Sequence, residues 1–384
     1  MKKFLAMILA LVMALSLVAC GDKKDDPKTD DNQGDTTETT YKVAMITDYG
    51  DITDQSFNQT TYEACKAFAD ANKIEFSYFK PAGDNTADRV AMIESAIDEG
   101  YNVIVMPGYA FGGAIVETAP NFPDVKFIAL DVSAGDLGEG FVIPANLYCA
   151  VYQEELCGYM AGYAAVKLGY KNLGFLGGMA VPAVQRYGLG FVQGVDAAAA
   201  ELKLTDVKVN YVYGGQFFGD ADITAAMDTW YAGGTQVVFA CGGGIYTSAV
   251  DAAKKVEGAK VIGVDVDQAA IIDGDYGEGM TVTSAMKGLA PTTIDTLTDV
   301  VINGKWDDYA GKIETLGLVS GEDASLNYVQ IPSTTQFEDG KFTADDYAAL
   351  VKGMYDGTIV VSNDTSAMPA TTNTTVNDLG SIKG

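Results

Sequence analysis

Residues 47–60, TDYGDITDQSFNQT, join an apolar run at 41–46 to a segment with helical spacing, and the way they are read sets the architecture of the whole chain. An apolar strand, a glycine-bearing acidic turn and a helix start make the first half of a βαβ unit. Ser56 is a suitable N-cap, and Gln59 three residues later completes a capping box. That places Phe57 and Asn58 in the first helical turn, just beyond the carboxyl end of the strand. Phe57 then has two destinations. It shares a helical stripe with Thr61, Ala64, Cys65 and Phe68, which would bury it in the core, or it faces out of the turn toward a ligand.

The same alternation recurs outward from this stretch. Strands are expected at 43–47, 74–79, 103–106 and 126–130, with helices at 56–72, 86–99 and 112–119. A second series starts near Tyr148, with helices at 148–168, 183–201, 221–231 and 246–256 and strands at 173–176, 207–213, 236–240 and 260–264. Further on, 280–284 and 313–318 read as strands and 291–302 as a helix, and the chain from Trp306 onward is placed only loosely. Repeated βαβ predicts an α/β protein with parallel sheets. The chain from residue 41 onward is too long for one core, so two doubly wound lobes joined by a hinge are expected. Lobe 1 is assigned 41–147 plus 269–305, and lobe 2 is assigned 148–268 plus 306–384.

Lys2 and Lys3 precede the uncharged apolar stretch 4–19, which ends in Leu17-Val18-Ala19-Cys20. That is the pattern of a secretory signal at 1–19 followed by a lipoprotein cleavage box, and the apolar stretch is shorter than the ~20 residues of a spanning helix. Cys20 is expected to carry lipid. Residues 21–40 lack any apolar side chain large enough to anchor a core and have the composition of a disordered tether.

Charge and composition exclude several classes. With 25 basic against 52 acidic side chains the formal net charge is −27, which repels phosphate backbones and argues against a nucleic-acid partner. The chain has no histidine, so the commonest general base, the commonest metal ligand and all Ser-His or Cys-His pairs are missing. If Cys149 and Cys157 share one helix, they lie ~12 Å apart, beyond the ~7 Å reach of a disulfide. With no CxxC pair present, Cys65, Cys149, Cys157 and Cys241 are expected to be buried and inert, with no metal and no cofactor.

Two tandem α/β units behind a lipid tether have the plan of a solute receptor whose lobes close on a small molecule. In open parallel sheets the ligand sits outside the carboxyl ends of the strands. Those positions hold Asp48, Gly108-Tyr109, Asp131, Gly177-Gly178-Met179, Gln216-Phe217-Phe218, Cys241 with Gly242 to Gly244, and Asp265. Carboxylates accept hydrogen bonds from a vicinal diol and rings stack on planar heterocycles, so a sugar joined to a flat base suits this set. Asp131 and Asp265 are equally suited to capping their own turns. The glycine run at 242–244 is a weak signal, since neither GxGxxG after the first strand nor GxxxxGK[ST] is present.

Particular stretches resemble the basic membrane protein family of bacterial lipoproteins: TDYG at 47–50, DQSFNQ at 54–59, PDVKF at 123–127 before Asp131, and GVDVDQ at 263–268. GLGF at 188–191 with Gly194, and TSAMK at 283–287, support the match, which spans roughly residues 41–361. The resemblance implies a type I periplasmic-binding-protein fold and a monomeric receptor that delivers a nucleoside, typically a purine one, to an ABC transporter permease at the outer face of the cell membrane. It further implies that Phe57 stacks on the base, Asn58 and Asp48 bind its polar edge, a ring from Phe217 or Phe218 covers the opposite face, and Asp265 and Lys287 hold the ribose hydroxyls, with Asp131 as a further polar contact. The family pattern has a single aromatic ahead of the aspartate in the segment written here as Gly215 to Asp220, so the doubled phenylalanine is a departure. A free-sugar receptor is the alternative within the same architecture. An exported nucleoside hydrolase is the alternative from another class, and it would need an aspartate-held metal or an activated base.

Overall fold

The computed structural model describes residues 40–383. The leader, Cys20 and the tether up to residue 39 lie outside the described residues. No described helix is long and apolar enough to cross a membrane.

The first lobe is built on β1 (Lys42–Ile46), β2 (Glu75–Phe79), β3 (Val103–Pro107), β4 (Lys126–Leu130) and β5 (Leu147–Tyr152), joined by β11 (Lys312–Leu316). Their order is β11-β5-β4-β3-β1-β2 with every pair parallel. Helices α1 (Phe57–Asn72), α2 (Thr86–Asp98) and α3 (Gly112–Thr118) make its crossovers. β3 is buried along its whole length, as helices on both sheet faces require.

The second lobe repeats the plan with β6 (Asn172–Gly177), β7 (Val207–Tyr213), β8 (Val237–Cys241), β9 (Lys260–Asp265) and β10 (Thr281–Lys287). The short β12 (Val329–Gln330) and β13 (Thr374–Ser381) flank them in the order β12-β10-β9-β8-β6-β7-β13, with only β12 antiparallel. Helices α4 (Glu154–Lys167), α5 (Pro182–Glu201), α6 (Ala221–Ala232), α7 (Tyr246–Ala253) and α8 (Ala269–Tyr276) belong to it. Within each sheet the first five strands run 2-1-3-4-5, so each lobe has a switch point between its first and third strands where a crevice opens.

The chain passes between the lobes after Tyr152, after Lys287 and after Leu316. The connections are laced together: Gln153 N donates to Leu316 O at 2.9 Å, Tyr328 N to Gly317 O at 3.0 Å, and Gly288 N to Tyr328 O at 2.7 Å. Three adjacent connections form a hinge rather than a packed interface.

Two expectations are corrected here. Residues 147–152 are a strand and the helix begins only at Glu154, because Gln153 breaks the periodicity with a non-helical backbone. The run LYCAVY is apolar throughout, and periodicity alone does not separate a buried strand from a buried helix. Cys149 and Cys157 therefore do not share a helix, although all four described cysteines are free and buried. The lobe boundaries also differ: β10, within 269–305, completes the second sheet beside β9, while β11, within 306–384, returns to the first sheet beside β5. Helix α9 (Leu289–Leu297), between them, packs on α1 of the first lobe.

Candidate functional site

The two crevices face one another and enclose a cavity of about 390 Å³, within the usual range for small-molecule sites. Asp48, Phe57, Asn58, Asp131, Phe217, Phe218, Asp265 and Lys287 all line it. The first four come from the first lobe and the others from the second.

At the start of α1 the local structure differs from the expected capping box. Ser56 makes no side-chain cap. The Asp54 carboxylate instead accepts from the backbone N–H of Ser56 (2.9 Å), Asn58 (2.9 Å) and Gln59 (3.1 Å), while Gln59 Oε1 accepts from Gln55 N at 3.0 Å. A carboxylate has more lone pairs than a hydroxyl and its charge suits the positive end of the helix, so Asp54 takes over the cap. Ser56 is thereby released, and its hydroxyl donates across the cleft to Asp265 Oδ2 at 2.7 Å. Burial raises the carboxyl of Asp54 above its usual range against the pull of those amides. Asp48 is raised likewise, by burial against the amides of Gly50 (2.6 Å) and Tyr49 (2.5 Å).

Asp131, just after β4, and Asp265, ending β9, occupy matching places on the fourth strands of the two lobes. Both have left-handed backbones, with φ of 58° and 64°. After glycine, aspartate and asparagine tolerate that conformation best. Between the two lies Lys287, at the end of β10 and only 3% exposed in its side chain. Its ammonium is bonded to Asp131 and stands 3.6 Å from Asp265 and 3.5 Å from Glu154. Burial pulls the lysine down, but Asp131, Asp265 and Glu154 outweigh it and hold the ammonium above the ordinary lysine range. The same ammonium sits 4.8 Å from the centroid of the Phe57 ring, so one face of that ring is a cation–π partner.

Sequence reasoning missed the layer behind this cluster. Glu154, the first residue of α4, is fully buried and paired with Arg186 of α5 at 2.6 Å. Burial pushes its carboxyl up to about 7, against the opposing pull of Arg186 and Lys287. Tyr187 donates to Asp265 Oδ1 at 3.2 Å. The available signal was a pair of acidic residues, Glu154-Glu155, opening an otherwise apolar helix; buried acids are rare unless they are paired.

The question of Phe57 resolves into both destinations. Its ring packs against the core cluster on one side and lines the cavity. Across the cleft the two phenylalanines separate: Phe218 is 59% exposed, whereas the Phe217 ring lies 6.3 Å from that of Tyr49. The Tyr49 and Tyr109 hydroxyls of the first lobe both donate to Met179 Sδ of the second, at 3.5 and 3.8 Å. Gln268 Nε2 donates to Gln55 O at 3.2 Å, so the lobes touch on both sides of the cavity. Asn58 Oδ1 and Asp131 Oδ1 are buried polar atoms with no hydrogen-bond partner among the described residues, the condition in which a polar ligand is favoured.

This arrangement can bind and enclose a small polar molecule with an aromatic part. Comparison with known proteins agrees in fold and in class. A solute-binding protein of an ABC transporter system from Aeropyrum pernix K1 superimposes with a TM-score of 0.64 at 20% identity, covering 85% of this chain and 88% of the other. The ABC transporter nucleoside-binding protein BmpA of Lactococcus lactis is 27% identical over 84% of this chain and 90% of its own length. An uncharacterized lipoprotein of Pyrococcus furiosus is 26% identical over 81% of this chain and 77% of its own length. The Bmp family profile, described as ABC transporter substrate-binding protein PnrA-like, matches residues 41–322, and with that match the chain belongs to this family of substrate-binding proteins.

Proposed function

We propose that this protein is a lipid-anchored receptor that captures a purine nucleoside between its lobes and hands it to a membrane permease without breaking any bond. The observation that carries the reading is the pairing, in one cavity, of rings from both lobes with the Asp131–Lys287–Asp265 cluster. In this assignment Phe57 and Phe217 sandwich the base, Asp48 and Asn58 meet its polar edge, and Asp265 and Lys287 hold the ribose hydroxyls beside Asp131. The nucleoside-binding relative supports the ligand class.

The test is thermal unfolding with inosine, guanosine, adenosine, adenine, ribose and glucose. A ligand at a hundred times its Kd adds about 2.7 kcal/mol to the unfolding free energy, so a purine nucleoside should raise Tm clearly while ribose and adenine alone do not. A shift with glucose or ribose only would favour the free-sugar receptor, and no shift with any nucleoside would remove the assignment.

Ring truncations divide the roles. Phe57→Ala and Phe217→Ala are each expected to weaken inosine binding by about 1–3 kcal/mol, the usual contribution of one stacked base. Phe218→Ala should leave Kd within about twofold, since Phe218 stays 59% exposed at the rim of the cavity and exposed side chains contribute little. Titration calorimetry of the three variants checks this, and equal losses for Phe217 and Phe218 would contradict the inward orientation of Phe217.

A further inference from the structure

We propose that Lys383 is a positioning residue that holds the 215–220 loop, and with it the ring of Phe217, over the cleft. The inference rests on the nucleoside reading only for what Phe217 does once it is held there.

The segment lies beyond residue 322, where the family match stops. β13 runs parallel to β7 from Thr374 to Ser381, and Ile382 N continues the ladder by donating to Tyr213 O at 2.8 Å. The Ile382 side chain packs on the apolar cluster of the second lobe. These contacts deliver Lys383 to the outer side of the loop that follows β7. Its ammonium is bonded to the Asp220 carboxylate and to Gln216 Oε1, the latter at 2.8 Å.

Both acceptors are themselves structural. Asp220 caps α6 by accepting from the amides of Asp222 and Ile223, each at 3.0 Å. Gln216 Nε2 donates to Phe218 O at 2.9 Å and to the Asp220 carboxylate at 3.0 Å. One lysine thus ties the residue just before Phe217 to the cap of the following helix. Gly215, at φ +82°, lets the chains meet, because a Cβ there would come within 2.8 Å of Lys383 Cβ. On the cleft side of the same loop Phe217 lies against Gly178 and Gly242, where any Cβ would strike its ring. The tail therefore backs the loop while the ring faces the cavity. A charge-assisted contact of this kind suits a loop that carries two consecutive phenylalanines, of which Phe217 lies against the cleft glycines and Phe218 stays largely exposed.

The test uses the full chain as wild type, Lys383→Ala and Lys383→Arg. Hydrogen exchange of amides in 214–220, measured without ligand, is expected to be roughly threefold to tenfold faster in Lys383→Ala and largely restored in Lys383→Arg, the range expected for losing a partly exposed ion pair with its hydrogen bonds. Added salt should speed loop exchange in the wild type and not in Lys383→Ala. Inosine Kd should rise by a similar factor, mainly through faster dissociation. Unchanged exchange would overturn the proposal, as would faster exchange with unchanged inosine affinity. If wild type fails to bind inosine at all, the nucleoside reading falls, and the exchange and salt measurements still decide whether Lys383 holds the loop.

Discussion

Lys287→Met is expected to lower the unfolding free energy by about 3–5 kcal/mol, the usual cost of removing one partner from a buried ion pair, and to abolish measurable nucleoside binding. The ammonium is the cation shared by Asp131, Asp265 and Glu154, and among the described residues only Glu154 has a second cation, Arg186, within ion-pair distance. Methionine keeps the volume and removes the charge, leaving buried carboxylates facing one another. The pH dependence has a definite sign. Burial already raises Glu154 to about 7 from a usual 4.5, so the folded state holds that proton more tightly than the unfolded chain does. Its contribution to stability is present below about pH 4.5 and is lost as pH rises through about 7. Lys287 is one of the groups opposing that rise, so without it Glu154 moves further up. The deficit of Lys287→Met should therefore be small near pH 5 and grow toward pH 8. Urea midpoints at the two pH values check this, and a deficit independent of pH, or below about 1 kcal/mol at pH 8, would mean that the cluster is solvated and not a buried charge network. If the single variant does not fold at pH 8, Lys287→Met combined with Asp131→Asn should recover part of the loss, because it removes one of the stranded charges.

How far the sequence could be read follows from what kind of information each feature needs. Strands such as 126–130 and 207–213 coincide with the observed elements because short runs with β-branched and aromatic residues, bounded by turns, are shorter than a usual helix. LYCAVY at 147–152 does not, and its misreading displaced the lobe boundary that follows it. The exchange of β10 and β11 between lobes was hidden for a different reason: β10 pairs with the preceding β9, whereas β11 returns to β5 far earlier in the sequence, which leaves no local trace, and the chain crosses the hinge after Lys287 and Leu316 with nothing in composition to mark the change. The site residues implied by resemblance come together around one cavity. The sequence offers Ser56 as the helix cap, yet Asp54 two positions earlier takes that role, and the hydroxyl goes to Asp265 in the other lobe. Local pattern ranks candidates for a cap; it has no access to a carboxylate that tertiary folding brings from 209 residues away. Glu154, Arg186 and Tyr187 escaped notice on the same ground, since an acid opening a helix is ordinary until its burial is known.

Those three residues depend on how closely α4 and α5 approach, which leads to the second large effect. Gly190→Ala should destabilise the fold by about 3 kcal/mol, at the upper end for overpacking. A Cβ at Gly190 would lie well inside 3.0 Å of the Glu155 carbonyl oxygen. Gly194 stands in the same relation to Tyr159, and from the opposite helix Gly158 and Gly162 face the carbonyls of Tyr187 and Phe191. The obstacle in each case is main chain, which has no rotamer to change, so the helices must separate. Separation moves Glu154 away from Arg186, because the first sits at the start of α4 and the second in the first turns of α5. Gly274→Ala is the matched control. Gly274 also lies within a helix, but a Cβ there meets nothing within 4 Å, and alanine should stabilise by roughly 0.5–1 kcal/mol through its lower unfolded-state entropy. Opposite signs for one added methyl group in two helices would show that backbone contact, and not helix propensity, fixes the α4–α5 spacing. Equal small effects would mean that the two helices have room to part without disturbing the ion pair that backs the cleft.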